Sequence, residues 1–244
     1  SRFCLVVSGL ITVLSVQGGE SPFAIRGTLP WHNFLSGPTA WNMKDYQSYL
    51  DWMAERNLNF VGFHCYTGGA ERYVNYVEPL IRMEYRKVLP LAEFDTSITS
   101  RWGYWPMTTD QFAFGSRRYF KTGKVFGAEC AIKAKDNEDR YRRAQELMRG
   151  VIEYAHKKGI QVCLGFEFGI YPPEIFSIIP PDALLRSPYL PDPTHPANIE
   201  ILDLYIANIV EAYPKIDYIW FWLQEMYNPA GKLALSPAFQ NFHE

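Results

Sequence analysis

The sequence predicts an α/β protein built on a parallel sheet, and three features of the chain lead to this fold class. After Pro22, strand-like apolar runs alternate with helical runs along the chain. The strand-like runs are apolar on both faces, which is typical of parallel sheets that are covered on both sides. Polar residues follow their carboxyl ends, where a barrel enzyme builds its site. Both an open doubly wound sheet and a closed (β/α)8 barrel fit this alternation.

Four strands are predicted, at 23–31, 59–66, 160–169 and 217–225. A closed barrel needs eight, so we expect a (β/α)8 TIM-type barrel of which this chain covers about the first four strand–helix units. Residues 21–244 are then the N-terminal portion of the barrel domain. No GxGxxG or GxxxxGK[ST] motif follows any of the strands, so nucleotide binding lacks its usual sequence support.

Three helices are predicted between the strands, at 42–57, 136–159 and 197–214. The first begins at Asn42, with Asp45 at the capping-box position. The second has an acidic first turn and a basic last turn, which complement the helix dipole. The apolar face of the first helix comprises Tyr46, Tyr49, Leu50 and Met53. That of the second comprises Tyr141, Ala144, Leu147, Met148, Val151, Ile152 and Ala155. The long segment 67–135 is expected to be functional or to carry small elements of its own.

The composition is that of an ordinary globular protein and excludes some classes. The chain has 244 residues, of which 48% are hydrophobic and 20% charged, and its formal net charge is −2. Nucleic-acid binding usually demands a basic face, which this balance does not favour. The cysteines lie far apart, without the CxxC or Cys/His spacing of a zinc site. We therefore predict no metal and no cofactor.

The first 20 residues allow two interpretations. Arg2, the apolar run 3–16 and a Gln-Gly-Gly end resemble a short secretory signal peptide. The alternative is a buried hairpin that turns at Ser8 and Gly9. The apolar run is too short to span a bilayer comfortably. We expect an exported protein, either secreted or periplasmic.

Alternation of side chains along the strands predicts a shared site at their carboxyl ends. His64 and Tyr66 share one face of the second strand, and Glu167 points the same way from the third. In the fourth strand, Glu225 shares a face with Ile219, Phe221 and Leu223, and it is expected at the same end of the barrel. Three further residues follow the first strand: Trp31, His32 and Asn33.

Glu225 ends the almost wholly apolar run that begins at residue 217. A carboxylate is costly to bury unpaired, but at a strand end it can face a cleft. Aromatic neighbours such as Trp222 would raise its pKa and make it a general acid near neutral pH. A structural ion pair with Arg26 is the alternative. Glu167 is the second catalytic candidate, with substrate hydrogen bonding or ion pairing as its other possible role, and His64 is expected to bind substrate.

Aromatic residues make up 16% of the chain, and many fall at strand ends or in the long segment. Flat rings stack against the C–H faces of sugars, although they also fill cores. Core packing explains Trp102 poorly, because it lies in a predicted loop at 100–107, and loops run over the surface. Trp102 and Trp222 are therefore candidates for carbohydrate stacking, and Gln224 for contact with substrate.

The stretch "IRGTLPWHNFLSGPTAWNMKDYQSYLDWMAERNLNFVGFHCYTGG" resembles the opening of the catalytic barrel in glycoside hydrolases of the α-glucuronidase and β-hexosaminidase kind. The resemblance covers 22–69 well and 160–225 by layout. It implies a (β/α)8 barrel, exo-acting cleavage of a glycosidic bond, and a Glu after strand 4 as general acid, which corresponds to Glu225. The hexosaminidases carry an Asp-Glu pair at this place, whereas this chain has Gln224-Glu225.

These observations predict a secreted glycosidase that acts on a plant or algal polysaccharide, or on an oligosaccharide from it. Hydrolysis needs a second carboxylate, which is expected from a later strand beyond residue 244. The alternatives are a non-catalytic carbohydrate-binding barrel fragment and a barrel lyase or isomerase. The expected partner is a carbohydrate. The open edge of strand 4 is expected to be covered by a second copy or by the N-terminal run. Binding to nucleic acid or to a membrane is not expected.

Overall fold

The computed structural model describes residues 21–30, 38, 41–65, 80–82, 84–91, 130, 133–168, 171–184 and 191–223. Four strands lie in this part of the chain: β1 (Gly27–Thr28), β2 (Phe60–Cys65), β3 (Gln161–Phe168) and β4 (Tyr218–Leu223). The helices are α1 (Met43–Ala54), α2 (Asn137–Lys157), the one-turn α3 (Pro173–Phe176) and α4 (Pro196–Ala212), with a 3-10 helix at Pro181–Ala183.

The strands form one parallel sheet in the order β1-β2-β3-β4, which is also their order in the chain. This confirms the predicted α/β class and the parallel sheet. The predicted bounds of strands 2 to 4 are correct to within two residues. No helix in the described residues is long and apolar enough to cross a membrane.

The first strand is much shorter than the predicted 23–31. Before Gly27, the side chain of Asn59 takes the place of the backbone hydrogen bonds that a neighbouring strand would make. Asn59 Oδ1 accepts from the N–H of Arg26, and its Nδ2 donates to the carbonyl of Ala24, both at 2.8 Å. Only Gly27 and Thr28 pair with β2. A side-chain amide can satisfy extended backbone without a strand partner, and hydrophobic alternation does not report this.

Helix α1 begins as its sequence predicts. Asn42 Oδ1 accepts from the N–H of Asp45 at 3.1 Å, and the N–H of Asn42 donates to Asp45 Oδ2 at 3.0 Å. Two of the N–H groups that lack a partner within the helix are thereby satisfied. Tyr46, Leu50 and Met53 are buried, so the predicted apolar face is the one that packs.

Helix α2 also buries its predicted stripe, except that Leu147 is only partly buried. Gly159 follows the helix with φ of +71°, a conformation that glycine adopts without steric cost. The chain can therefore turn sharply and enter β3 two residues later.

The main core lies between the helices and one face of the sheet. On the sheet side, that face consists of Val61, Phe63, Cys65, Val162, Leu164, Phe166, Ile219 and Phe221. The helices contribute residues such as Leu50, Met148 and Ile209, all fully buried. The opposite face of the sheet is thus turned away from the helices, and it carries His64 and the backbone positions of Glu167 and Trp222.

Part of the segment 67–135 is built into this core. Leu80, Ile81 and Tyr85 are buried in it, and the Tyr85 hydroxyl donates to Glu200 of α4 at 3.0 Å. Tyr85 and Val88 close a two-residue hairpin turn through reciprocal backbone hydrogen bonds of 3.0 and 2.8 Å. The expectation that this long segment carries elements of its own is therefore confirmed for its described portion.

Candidate functional site

The structure describes only part of the predicted site. His64 is described completely, and Glu167 and Trp222 are described through their backbones. The other predicted residues lie outside the described residues: Trp31, His32, Asn33, Tyr66, Trp102, Gln224 and Glu225. The catalytic and binding roles assigned to them therefore stay predictions, as does the interpretation of residues 1–20.

His64 lies on the sheet face that is turned away from the helices. It alternates in β2 with Phe63 and Cys65, which belong to the helix-facing core. Its side chain is buried, with 3% of its surface exposed, and its backbone N–H donates to the carbonyl of Pro30 at 3.4 Å. His64 thus lies on the face opposite the helices, as the alternation of side chains in β2 predicted.

The parallel register places His64 in a row with residues of the next two strands. His64 pairs with Gly165 of β3, and Gly165 pairs with Trp220 of β4. Because Gly165 has no side chain, the positions of an imidazole and an indole flank a glycine in this row. Neighbouring strands lie about 4.8 Å apart, so the two flanking Cα atoms are separated by roughly two such spacings.

The next row toward the carboxyl ends pairs Glu167 with Trp222. It lies two residues further along each strand, which is about 6–7 Å in extended chain. A carboxylate-bearing residue therefore stands beside a tryptophan in register, one row beyond His64. This row and the His64 row together form the described part of the candidate site.

The register corrects the predicted face of the fourth strand. Sequence alternation had placed Ile219, Phe221 and Leu223 with Glu225 on the face of Glu167. In the structure, Ile219 and Phe221 pack against the helix-facing core, and the register puts Tyr218, Trp220 and Trp222 in the rows of Cys163, Gly165 and Glu167. The expected placement of Ile219 and Phe221 on the face of Glu167 was therefore wrong, because both faces of this strand are apolar and alternation alone cannot tell them apart. Glu225 itself lies outside the described residues.

Trp220 is a residue of the site face that the sequence analysis did not identify. It is partly buried and shares a row with His64. The alternating aromatic pattern Tyr218, Trp220, Trp222 was the signal that could have revealed this face. Such a pattern suits a surface on which a flat ligand can stack.

The amino-terminal end of this face is aromatic. The rings of Phe60 and Tyr218 lie 5.8 Å apart between centroids. Cys163, the register partner of Tyr218, is buried, and its burial raises the pKa of its thiol to about 11. The first charged residue along this face of β3 is therefore Glu167, at the carboxyl end of the strand.

Within the described residues, no group of three or more His, Cys, Asp or Glu side chains is placed to hold a metal ion. The titratable residues of the described rows are instead a single histidine and a single glutamate, in adjacent strands. Histidine and glutamate side chains can donate and accept hydrogen bonds with hydroxyl groups, and a tryptophan ring can stack against a flat ligand.

The chain is similar in backbone to several glycoside hydrolases of known structure. One is a GH138 enzyme described as targeting pectin rhamnogalacturonan II, with 13% identity and a TM-score of 0.44 over 80% of this chain. Another is a GH20 exo-β-N-acetylglucosaminidase from Vibrio harveyi, with 17% identity and a TM-score of 0.44 over 91% of this chain. An inactive mutant of the Vibrio enzyme gives 16% identity and a TM-score of 0.42 over 90% of this chain.

These likenesses are distant and partial. This chain spans 18% of the length of the GH138 enzyme and 30% of that of the GH20 enzyme. No protein-family model matches the sequence, and no curated protein matches it. The assignment of a function therefore depends on the residues of the site.

Proposed function

We propose that this chain forms part of a (β/α)8-barrel glycoside hydrolase that cleaves a glycosidic bond in a plant or algal poly- or oligosaccharide. One observation carries the proposal. The row of Glu167 and Trp222 lies directly beyond the row of His64, Gly165 and Trp220, at the carboxyl ends of parallel strands and on the face turned away from the helices.

The barrel part of the proposal is supported by the order of the strands. The strands pair in chain order, and the helices that follow β1, β2 and β3 pack on the same face of the sheet, which is the pattern of a singly wound unit. A doubly wound sheet reverses its strand order and places helices on both faces. Continuing the observed pattern with further strand–helix units closes a barrel, because sheet twist accumulates with each strand.

The chemistry is supported by the residue types at the strand ends. Glycoside hydrolysis uses a pair of carboxyl groups on either side of the scissile bond, one of which is a general acid. Glu167 and Glu225 are the candidates in this chain, and Glu225 is proposed as the acid. His64 would hydrogen-bond sugar hydroxyls, and Trp222 and Trp220 would stack against the sugar ring. The second carboxylate of a complete hydrolase is proposed to come from a later strand.

A panel of sugars tests the proposal. We would use para-nitrophenyl α-D-glucuronide, para-nitrophenyl N-acetyl-β-D-glucosaminide and xylo-oligosaccharides that carry glucuronic acid. Calorimetry measures binding, and release of para-nitrophenol measures turnover. We expect at least one probe to bind, and Glu167→Gln and Trp222→Ala each to weaken that binding at least ~10-fold, a loss of about 1.4 kcal/mol.

Trp52→Ala is the matched control for the loss of a tryptophan. Trp52 is exposed on α1, between the Tyr49 ring and the Arg56 guanidinium, away from the site face. It should leave sugar binding unchanged. Binding that is equally strong in the wild type and in both site variants would overturn the placement of the site. Absence of binding to every probe would contradict a carbohydrate function for these rows. Binding without turnover would favour the alternative of a non-catalytic carbohydrate-binding protein over a hydrolase.

Export to the cell exterior or periplasm is part of the same proposal. We also propose that further polypeptide or a second copy covers the edge of β4. In the described residues β4 pairs with β3 alone. An uncovered strand edge invites pairing with another chain. Sedimentation of the chain at increasing concentration would measure whether a second copy binds.

A further inference from the structure

The connection between β3 and α4 has a neck at which the chain leaves and returns. Leu184 and Pro191 form an antiparallel bridge, and the N–H of Asp192 donates to the carbonyl of Ala183 at 2.9 Å. Residues 183 and 192 therefore lie side by side, although they are nine positions apart in the chain. The segment between Leu184 and Pro191 begins and ends at this neck.

The side chain of Asn198 holds both sides of the neck. Asn198 lies in the first turn of α4 and only 4% of its surface is exposed. Its Nδ2 donates to the carbonyl of Ala183 at 2.8 Å and to the carbonyl of Asp192 at 2.6 Å. One amide group thus bridges the outgoing and the returning chain.

The same amide also contacts the chain that follows β3. The Tyr171 hydroxyl donates to Asn198 Oδ1 at 3.3 Å, and Tyr171 comes three residues after the end of β3 at Phe168. Burial raises the pKa of Tyr171, which keeps the phenol protonated as a donor. Both polar atoms of the Asn198 side chain are therefore engaged, as buried polar groups require.

Packing alone does not explain an asparagine at this position. The other buried positions on this face of α4 include Ile201, Tyr205 and Ile209, and an apolar side chain would serve the core equally well. Asparagine is also a weaker helix former than leucine. The amide makes three hydrogen bonds that leucine cannot make. Its Nδ2 donates to two backbone carbonyls, and its Oδ1 accepts from the Tyr171 hydroxyl.

We infer that Asn198 is a positioning residue that fixes the β3–α4 connection relative to the carboxyl end of β3, where Glu167 lies. The expected effect of Asn198 on sugar binding rests on the proposed function. Its effect on the hydrogen bonds of the neck does not. Through Tyr171, the amide connects the neck to the chain three residues beyond β3. Loosening it should therefore misplace the groups around Glu167 and weaken substrate binding before it affects any chemical step.

Asn198→Asp is the sharpest variant, because it keeps the shape and the acceptor for Tyr171 but removes both donors. Its carboxylate oxygen would face the carbonyls of Ala183 and Asp192. Asn208→Asp is the matched control on the same helix, since Asn208 Nδ2 makes only an exposed hydrogen bond to the carbonyl of Leu204. Amide hydrogen exchange provides a readout that is independent of any sugar.

In Asn198→Asp we expect the amides of Asp192 and His195 to exchange at least ~10-fold faster, while those of α1 and α2 keep their rates. The exchange reports the hydrogen bonds from Asp192 to Ala183 and from His195 to Asp192. Tyr171→Phe should leave the exchange at the neck unchanged. If Asn198→Asp does not fold, Asn198→Ser, which keeps one donor, should show a smaller acceleration confined to the same amides. Unchanged exchange at the neck, or equal acceleration throughout the protein, would overturn the inference.

The functional measurement uses xylo-oligosaccharides that carry glucuronic acid and the two aryl glycosides named above. We expect Asn198→Asp and Tyr171→Phe to raise the dissociation constant or KM at least ~5-fold, with a smaller change in kcat, and Asn208→Asp to change neither. If the neck opens but binding is unaffected, Asn198 has no positioning role and the proposed function stands. If no probe binds to the wild type, the proposed function fails, while hydrogen exchange still decides whether Asn198 holds the neck.

Discussion

Glu167 of β3 and Trp222 of β4 are direct partners in the parallel register. Their row lies beyond that of His64, Gly165 and Trp220, toward the carboxyl ends of the strands. The sequence had associated Trp222 with Glu225 as the neighbour that would desolvate it. The register instead places Trp222 beside Glu167. Glu167 is therefore a stronger candidate for a functional residue than the sequence alone indicated.

Glu225 remains the proposed proton donor, and its role predicts a dependence on the leaving group. For the proposed glycosidase activity, Glu225→Gln should lower turnover of natural sugars at least ~10²-fold, the scale of general acid catalysis. It should lower turnover of an aryl glycoside with an acidic phenol far less, because that leaving group needs little protonation. Steady-state kinetics on the two substrates measure the difference. An equal loss on both would indicate a base or nucleophile, and no loss on either would leave Glu225 a structural residue.

Gly27 should tolerate substitution less well than Gly62, the glycine of the neighbouring strand. A Cβ at Gly27 would lie 2.0 Å from the backbone carbonyl oxygen of Phe60, so Gly27→Ala must separate β1 from β2. A Cβ at Gly62 would lie 2.2 Å from a terminal methyl of Leu29 and at an ordinary 3.6 Å from the Phe60 ring. The Leu29 side chain can rotate away because it is partly exposed. We expect Gly27→Ala to lower the free energy of unfolding by more than about 2 kcal/mol and Gly62→Ala by less.

Gly150→Ala is the control for this pair of variants. Gly150 lies inside α2, and a Cβ there would approach only the Met43 side chain, at an ordinary 3.7 Å. Alanine is the better helix former, so the substitution should stabilise by about 0.5–1 kcal/mol. Urea unfolding measures all three variants. A Gly27→Ala protein as stable as the wild type would contradict the pairing of β1 with β2.

Asp139 predicts a contribution to stability that disappears in acid. The Arg143 guanidinium, at 2.7 Å, and the backbone N–H of Lys135, at 3.1 Å, hold the pKa of Asp139 well below its ordinary value. A carboxyl group whose pKa is lower in the folded state stabilises the fold above its unfolded pKa of about 3.9, and loses this effect as pH falls toward the folded pKa. Asp139→Asn should therefore be less stable than the wild type at pH 7.

The difference in unfolding free energy between the wild type and Asp139→Asn should shrink progressively as pH falls below about 5. Urea unfolding across this pH range measures it. Glu55→Gln serves as the surface control, because the Glu55 carboxylate makes only a 3.5 Å contact with Arg56. A difference that stays constant with pH would show that the charge of Asp139 is not what stabilises the start of α2.

Cys163 should be unreactive in the folded protein. Burial raises the pKa of its thiol to about 11, so at pH 8 only roughly one molecule in a thousand carries the reactive thiolate. Iodoacetamide followed by mass spectrometry should leave Cys163 unmodified until urea unfolds the chain. Cys65, buried on the helix-facing side of the sheet, is the internal control. Rapid alkylation of Cys163 but not of Cys65 would show that the site face is open to solvent down to the row of Cys163.

Features decided by neighbouring residues could be predicted from the sequence alone. The Asn42–Asp45 capping box and the buried stripes of α1 and α2 follow from local hydrogen bonding and from the helical period. The bounds of β3 and β4 follow from their apolar runs, and the parallel sheet follows from the alternation of strands with helices. The placement of His64 on the face opposite the helices was also predictable, because β2 has glycine and histidine on one face and bulky apolar residues on the other.

Only the tertiary structure decided which residues stand side by side. The faces of β4 were assigned wrongly from the sequence, because a strand that is apolar on both sides carries no parity signal, and the register with β3 supplies the answer. The length of β1 depends on Asn59, which is more than 30 residues away in the chain. The three contacts of Asn198 involve residues 171, 183 and 192, none of which is its neighbour in the chain. Such contacts form when distant parts of the chain fold against each other. The hydrophobic periodicity of the sequence does not indicate which distant residues will meet.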